Sequence, residues 1–172
     1  MEDYVERVAR AALERKGEPV FNGSVDHARV IVEALFKHAN SKIDIFSGHL
    51  NARVYGPDRV VDEAEQFLAG PSRTLRILLE NSDAVSTRHP LLARLQGAQN
   101  MKIRHLPADI SAVINFHLAV ADSDCYRFEA DKNQVSAVAA WGDKIGGLNL
   151  QDIFDSLWNR SSDVSLQCAE AG

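Results

Sequence analysis

Residues 116–124 of the chain read Phe116-His117-Leu118-Ala119-Val120-Ala121-Asp122-Ser123-Asp124. A histidine precedes a short apolar segment, and acidic residues close it. Residues two apart along a strand point the same way, so a strand here would place Asn115, His117 and Ala119 on one face. The segment therefore predicts a mostly buried strand that presents a histidine near its start.

The same residues have the spacing of a known signature, H-x-K-x-x-x-x-D. His117 stands at the histidine position and Asp124 at the aspartate position, whereas Ala119 stands where the signature has lysine. In these residues the chain resembles the phospholipase D-like superfamily. The resemblance implies a phospholipase D-like fold in which the catalytic set is incomplete.

The order of predicted elements across residues 21–160 follows one half of such a protein. Helices and strands alternate up to the motif strand, and a hairpin and an aromatic helix containing Phe154 and Trp158 close the domain. The resemblance therefore implies an α/β sandwich, with a mixed β-sheet flanked by helices, as a single half-domain. Residues 161–172 are small and polar and are expected to form a flexible tail.

Residues 1–20 are predicted to form an N-terminal amphipathic helix and a linker. Apolar residues recur at helical spacing on one face, and charged residues cover the other. The half-fold implied by the resemblance does not require this helix. Its apolar face must therefore be buried either on its own domain or on a partner.

The resemblance also implies roles for individual residues. In the family the histidine attacks phosphorus, lysines hold the phosphate oxygens and an aspartate usually orients the histidine, which makes His117 and Asp124 residual catalytic candidates. The family often carries a G-S-x-N segment on the next strand, and residues 135–138 keep only Ser136 of it. Ser136 and Asn115, which shares the face of His117, are therefore candidate phosphate or ligand contacts.

Another candidate follows an earlier predicted strand. His49 lies just beyond the strand that contains Ile45, and ligands of α/β sheets usually bind beyond the carboxyl ends of strands. A solvated loop histidine is the alternative interpretation of His49. Glu80 and Asn81 end the next predicted strand, where a polar pair is usually only a turn.

The alanine at position 119 bears directly on function. A methyl group neither donates a hydrogen bond nor carries charge, and losing one preorganised charge-stabilising group typically costs about a hundred- to a thousand-fold in rate. We therefore expect a catalytically impaired module that binds a protein partner or a phosphate-bearing ligand. The alternatives are a metal-independent phosphodiesterase or nuclease forming a phosphohistidine at His117, and an unrelated α/β domain.

Composition sets the remaining expectations. The chain has 172 residues, of which 45% are hydrophobic and 25% charged, which suits one soluble domain. No apolar run is long enough to span a bilayer and the N-terminus does not resemble a secretion signal, so a cytoplasmic location is expected. Cys125 and Cys168 have no histidine at a metal-ligand spacing, so we expect reduced thiols, no metal site and no cofactor.

Charge and family resemblance bear on partners. The net charge of −5 argues against a broad phosphate-neutralising surface, so binding to nucleic acid is possible but not favoured. Halves of phospholipase D-like proteins work in pairs. The resemblance therefore implies a homodimer or pairing with another protein subunit.

Overall fold

The computed structural model describes residues 1–81, 83, 86 and 88–165. Eight strands form one sheet, and their bounds are β1 Val20–Asn22, β2 Lys42–Ser47, β3 Thr74–Leu79, β4 Met101–His105, β5 His117–Ala121, β6 Cys125–Glu129, β7 Ala137–Trp141 and β8 Ser162–Asp163. The strand order across the sheet is β1-β7-β6-β5-β2-β3-β4-β8. Strands β2, β3 and β4 are parallel, and every other neighbouring pair is antiparallel.

Helices cover both faces of this sheet. Their bounds are α1 Glu2–Glu14, α2 Val25–His38, α3 Ala52–Tyr55, α4 Asp58–Leu68, α5 Pro90–Leu95, α6 Ala108–Ser111 and α7 Lys144–Trp158. The larger core lies between the sheet and the helices α1, α2 and α4. A smaller core lies under α7 on the opposite face. The mixed sheet between helical layers confirms the predicted α/β sandwich.

Local sequence explains how α2 begins. The Ser24 hydroxyl accepts a hydrogen bond from the His27 backbone N–H at 3.1 Å, which satisfies one of the free amides of the first turn. Ala28, Ile31 and Leu35 then recur on the buried face. The cap and the apolar stripe together fix where α2 starts and which side faces the sheet.

Helix α1 packs on its own domain. Its buried residues include Val8 and Ala12, and the Tyr4 ring stacks on the His27 ring of α2 with centroids 3.8 Å apart. The chain leaves α1 at Arg15, whose guanidinium donates to Asp124 at 3.0 Å. Of the two possibilities that the sequence left open, docking on the domain is therefore the one observed.

Helix α7 is held to the sheet by charged side chains that surround the buried carboxylate of Asp44. Asp44 is 1% exposed and accepts two hydrogen bonds from Arg76, at 2.6 and 2.7 Å. Arg76 also donates to Asp155 of α7 at 2.7 Å, and its guanidinium lies over the rings of Phe154 and Trp158. A paired charge and stacked aromatics fix the rotation of α7 about its axis.

The chain after residue 160 returns to the sheet. Ser162 and Asp163 form β8 and pair with β4, and the Arg104 side chain donates to Asp163 at 2.8 Å. The segment predicted to be a flexible tail thus begins as a paired strand, and residues 166–172, with Cys168, lie outside the described residues. Within the described chain, none of the helices combines the length and apolarity needed to cross a membrane.

Candidate functional site

His117 is the first residue of β5 and lies where the parallel strands β2 and β3 end. Beside it is a cavity of about 240 Å³, which is lined by residues of several strands, a helix and loops. The charged and polar residues that line it include His49, Asn51, Tyr55, His117, Arg127, Glu129 and Lys132. The sheet thus brings one end of the motif strand to the position where α/β folds usually bind ligands.

Both ring nitrogens of His117 face carboxylates. Nε2 lies 2.9 Å from Glu80 Oε2, and Nδ1 lies 3.3 Å from Glu129 Oε2. The Phe46 ring contacts the imidazole edge-on, with centroids 5.3 Å apart. The imidazole is therefore held between two carboxylates that come from different parts of the chain.

Glu80 receives donors from three parts of the chain. Its Oε1 accepts from Lys132 Nζ at 2.7 Å and from the Ser111 hydroxyl at 2.8 Å, and its Oε2 faces His117. Burial would raise the pKa of the Glu80 carboxyl, but the hydrogen bonds from Lys132, His117 and Ser111 outweigh burial and lower it. Glu80 is therefore a fixed negative charge in the site.

Glu129 and Arg127 come from the neighbouring strand β6. The register places Glu129 opposite His117 and Arg127 opposite Ala119. Arg127 pairs with Glu129 and donates through Nε to Asn22 at 3.1 Å. Burial would raise the pKa of Glu129, but the hydrogen bond from His117 and the charge of Arg127 lower it below its ordinary value.

Gly48 lies against this cluster. A Cβ on Gly48 would lie 3.4 Å from both Glu80 Oε2 and His117 Cε1. A larger side chain at position 48 would therefore enter the space between the imidazole and the carboxylate. Gly48 also accepts the Asn81 backbone N–H at 3.0 Å, which continues the pairing of β2 and β3 beyond their formal ends.

Asp124 does not orient His117, so that prediction is wrong. It lies in the β5–β6 turn at the far end of β5, where it accepts from Arg15 at 3.0 and 3.2 Å. Asp122 in the same turn accepts from Arg15 and from backbone amides, including that of Ser41 at 2.8 Å. The acidic end of the motif therefore anchors the hairpin to α1 and to the start of β2.

Of the three other predicted contacts, one lines the cavity and two do not. His49 is exposed and lines the cavity. Asn115 precedes β5 and is exposed, and its backbone carbonyl accepts the Lys132 N–H at 2.8 Å. Ser136 is exposed just before β7. Among the described residues, neither Asn115 nor Ser136 belongs to the wall of the cavity.

Sequence reasoning missed four charged residues of the site. The strand-end position of Glu80 is typical of a turn, and Arg127, Glu129 and Lys132 belong to no motif that the sequence shows. One signal could have found Glu129. A hairpin that turns at Ser123 pairs positions equally distant from the turn, which sets Glu129 opposite His117.

The arrangement is poorly suited to metal binding. In the part of the chain that the structure describes, no three His, Cys, Asp or Glu side chains are placed to hold a metal ion. The two carboxylates nearest His117 approach different ring nitrogens, so they do not converge on one point. The site is instead a row of contacting side chains. His117 lies between Glu80 and Glu129, and these two carboxylates pair with Lys132 and Arg127 respectively.

Comparison with solved structures agrees with this fold. The chain is similar to NucT from Helicobacter pylori, with a TM-score of 0.63 and 10% identity over 86% of this chain and 99% of that one. It is also similar to Nuc from Salmonella typhimurium, described as a phospholipase D family member, with a TM-score of 0.55 and 14% identity over 86% and 99%. These likenesses confirm the phospholipase D-like fold.

A third similar structure is TrmBL2, described as an archaeal chromatin protein with a novel mode of DNA binding. The TM-score is 0.58 and the identity 14%, over 95% of this chain and 61% of that one. Comparison with curated proteins gives no match. A family model described as a domain of unknown function, DUF7931, matches residues 24–167. The chain therefore belongs to the DUF7931 family, and its fold is phospholipase D-like.

Proposed function

We propose that this protein is a catalytically impaired phospholipase D-like module that acts by binding a protein partner or a phosphate-bearing ligand. The observation that carries the proposal is the engagement of both His117 nitrogens by Glu80 and Glu129. A nucleophilic imidazole needs one nitrogen free to attack. Here a carboxylate lies 2.9 Å from Nε2, where an approaching phosphate would meet negative charge.

The position of Ala119 supports the same conclusion. Ala119 is 3% exposed and packs in the larger core, so it offers no cation to a substrate. The cations near His117 are already paired: Lys132 with Glu80 and Arg127 with Glu129. Charge stabilisation of a transition state requires donors aimed at the substrate. Donors that are already bonded to internal carboxylates stabilise the transition state less than donors aimed at the substrate would.

Ligand binding is supported by the cavity itself. It is a concave space beside apolar wall, and its lining combines the cations Lys132 and Arg127 with the carboxylate of Glu129. One similar fold belongs to a chromatin protein described as binding DNA. The net charge of −5 still favours a small phosphate-bearing ligand over a long nucleic acid.

Pairing with a second copy or with another subunit is part of the proposal. Val135, which is 42% exposed, lines the cavity. Val113, which is 83% exposed, lies two residues after Ser111. Light scattering at micromolar concentration tests self-association. A Val113→Asp variant that remains fully associated would contradict an interface on this face.

Turnover is the decisive experiment. Purified protein is assayed on bis-p-nitrophenyl phosphate and on single-stranded DNA in the presence of chelator, beside His117→Ala. We expect no turnover above that of His117→Ala. His38→Ala, a histidine at the end of α2, is the matched control for loss of an imidazole. Robust turnover that disappears in His117→Ala and persists in His38→Ala would overturn the proposal.

The alternative function is a metal-independent phosphodiesterase or nuclease. One observation favours it: Arg127 lies opposite Ala119, so a cation reaches this face of the sheet from the neighbouring strand. In that case His117 would be the nucleophile, held by Glu129 at Nδ1. Trapping a phosphohistidine by mass spectrometry after incubation with substrate would support this alternative.

A further inference from the structure

Three donors converge on the Glu80 carboxylate from separate elements of the fold. Ser111 ends α6, His117 begins β5 and Lys132 lies between β6 and β7. Their distances to the carboxylate oxygens are 2.8, 2.9 and 2.7 Å. A hydroxyl, an imidazole and an ammonium around one anion make a set of strong, charge-assisted hydrogen bonds.

We propose that Glu80 is an internal anion that fills an oxyanion-binding subsite formed by Ser111, His117 and Lys132. A carboxylate and a phosphate group present the same kind of acceptor oxygens to such donors. The Glu80 side chain is 12% exposed, and the cavity lined by His117 and Lys132 adjoins it. Removing the carboxylate would therefore open the subsite to an anion that enters from this cavity.

This inference rests on the proposed function in one respect, since it treats the site as one that holds an anion without turning it over. It differs from a purely structural role of Glu80. A structural counterion would, on removal, leave its donors unpaired and lower stability. If Glu80 instead fills an oxyanion subsite, removing its carboxylate would also raise the affinity of the protein for inorganic phosphate, because phosphate would replace the missing acceptor.

The test compares Glu80→Ala with the unmodified protein by calorimetric titration with inorganic phosphate at constant ionic strength. We expect the variant to bind phosphate at least about tenfold more tightly, which is the effect of one hydrogen bond to a charged group. Glu65→Ala is the matched control, because it also removes one negative charge but from the exposed side of α4. Lys132→Ala added to Glu80→Ala should abolish the gain.

A thermal measurement covers the case in which Glu80→Ala is too unstable to titrate. Melting of Glu80→Ala and of the isosteric Glu80→Gln is compared in phosphate and in chloride, since a ligand that binds the folded state raises its melting temperature. A phosphate-specific rise in either variant, absent from Glu65→Ala, supports the subsite. If neither variant shows tighter binding or such a rise, the inference is wrong. The turnover assay of the unmodified protein is independent of this outcome.

Discussion

Arg127 lies directly across the β5–β6 ladder from Ala119, so its side chain starts on the same face of the sheet as the alanine. Its guanidinium is buried, pairs with Glu129 and donates to the Asn22 side chain. The position in β5 at which this chain lacks the lysine of the signature is thus faced by a cation in β6. Because directly opposite side chains contact one another, Arg127 also controls what position 119 tolerates.

Ala119→Lys should lower stability and should not create phosphodiesterase activity. A lysine here would be buried beside Arg127 with no free carboxylate, because Glu129 is already paired with Arg127. An uncompensated buried charge costs roughly 3–5 kcal/mol. Urea denaturation measures the loss. Ala119→Met is the control for side-chain length, and equal stability of the lysine variant and the unmodified protein would contradict the prediction.

Glu129 should stabilise the protein at neutral pH and lose this effect in acid. Its pKa is lowered from the ordinary value of 4.5, so the unfolded chain binds its proton first as pH falls. Its contribution is therefore complete above about pH 4.5 and disappears as pH falls through the folded-state pKa. Denaturation of the unmodified protein and of Glu129→Gln should differ most at neutral pH and converge in acid.

Glu65→Gln is the control for the pH dependence expected of Glu129→Gln. Glu65 is 54% exposed and pairs with Arg94, and such surface pairs contribute little to stability. We expect Glu65→Gln to remain close to the unmodified protein throughout. A gap between Glu129→Gln and the unmodified protein that widened below pH 4.5 would show that the carboxylate is not held in its charged form.

Gly142→Ala should be destabilising and should disturb the docking of α1. Gly142 has a φ of +74°, and a Cβ there would lie 1.9 Å from the Arg15 carbonyl oxygen. Gly97→Ala is the matched control, since Gly97 has a φ of +87° but nothing within 4 Å of the added Cβ. The control should show only the backbone cost of about 1–2 kcal/mol, and Gly142→Ala should exceed it.

Equal melting temperatures of the two glycine variants would show that the backbone near Arg15 yields without cost. Limited proteolysis gives a second measurement. If α1 loosens in Gly142→Ala, cleavage between α1 and β1 should become faster than in Gly97→Ala, because exposed and mobile backbone is cut first.

Trp158→Ala should cost about 3–5 kcal/mol, the usual loss for truncating a buried large aromatic. Trp158 is 7% exposed and stacks on Phe154, and the guanidinium groups of Arg76 and Arg104 lie over its ring. Trp158→Phe should retain part of this packing and lose less. Thermal melting compares the three proteins, and an unchanged midpoint in Trp158→Ala would point to a side chain that serves a partner surface.

Local patterns in the sequence determined much of the fold. The apolar run that follows His117 in β5, the cap at Ser24 and the apolar stripes of the helices each depend on residues close in the chain. Spacing also identified His117 and the missing lysine at position 119. These features follow from strand and helix periodicity, which any short segment expresses by itself.

The composition of the site was decided only by tertiary structure. Glu80 is separated from His117 by 37 positions in the sequence. It reaches His117 because β3 is parallel to β2 and ends at the edge of the sheet where the antiparallel strand β5 begins. Asp124 is close in sequence to His117 but lies at the opposite end of β5, against Arg15. Strand register and strand order bring distant charges together and separate near ones, and short-range spacing does not encode either property.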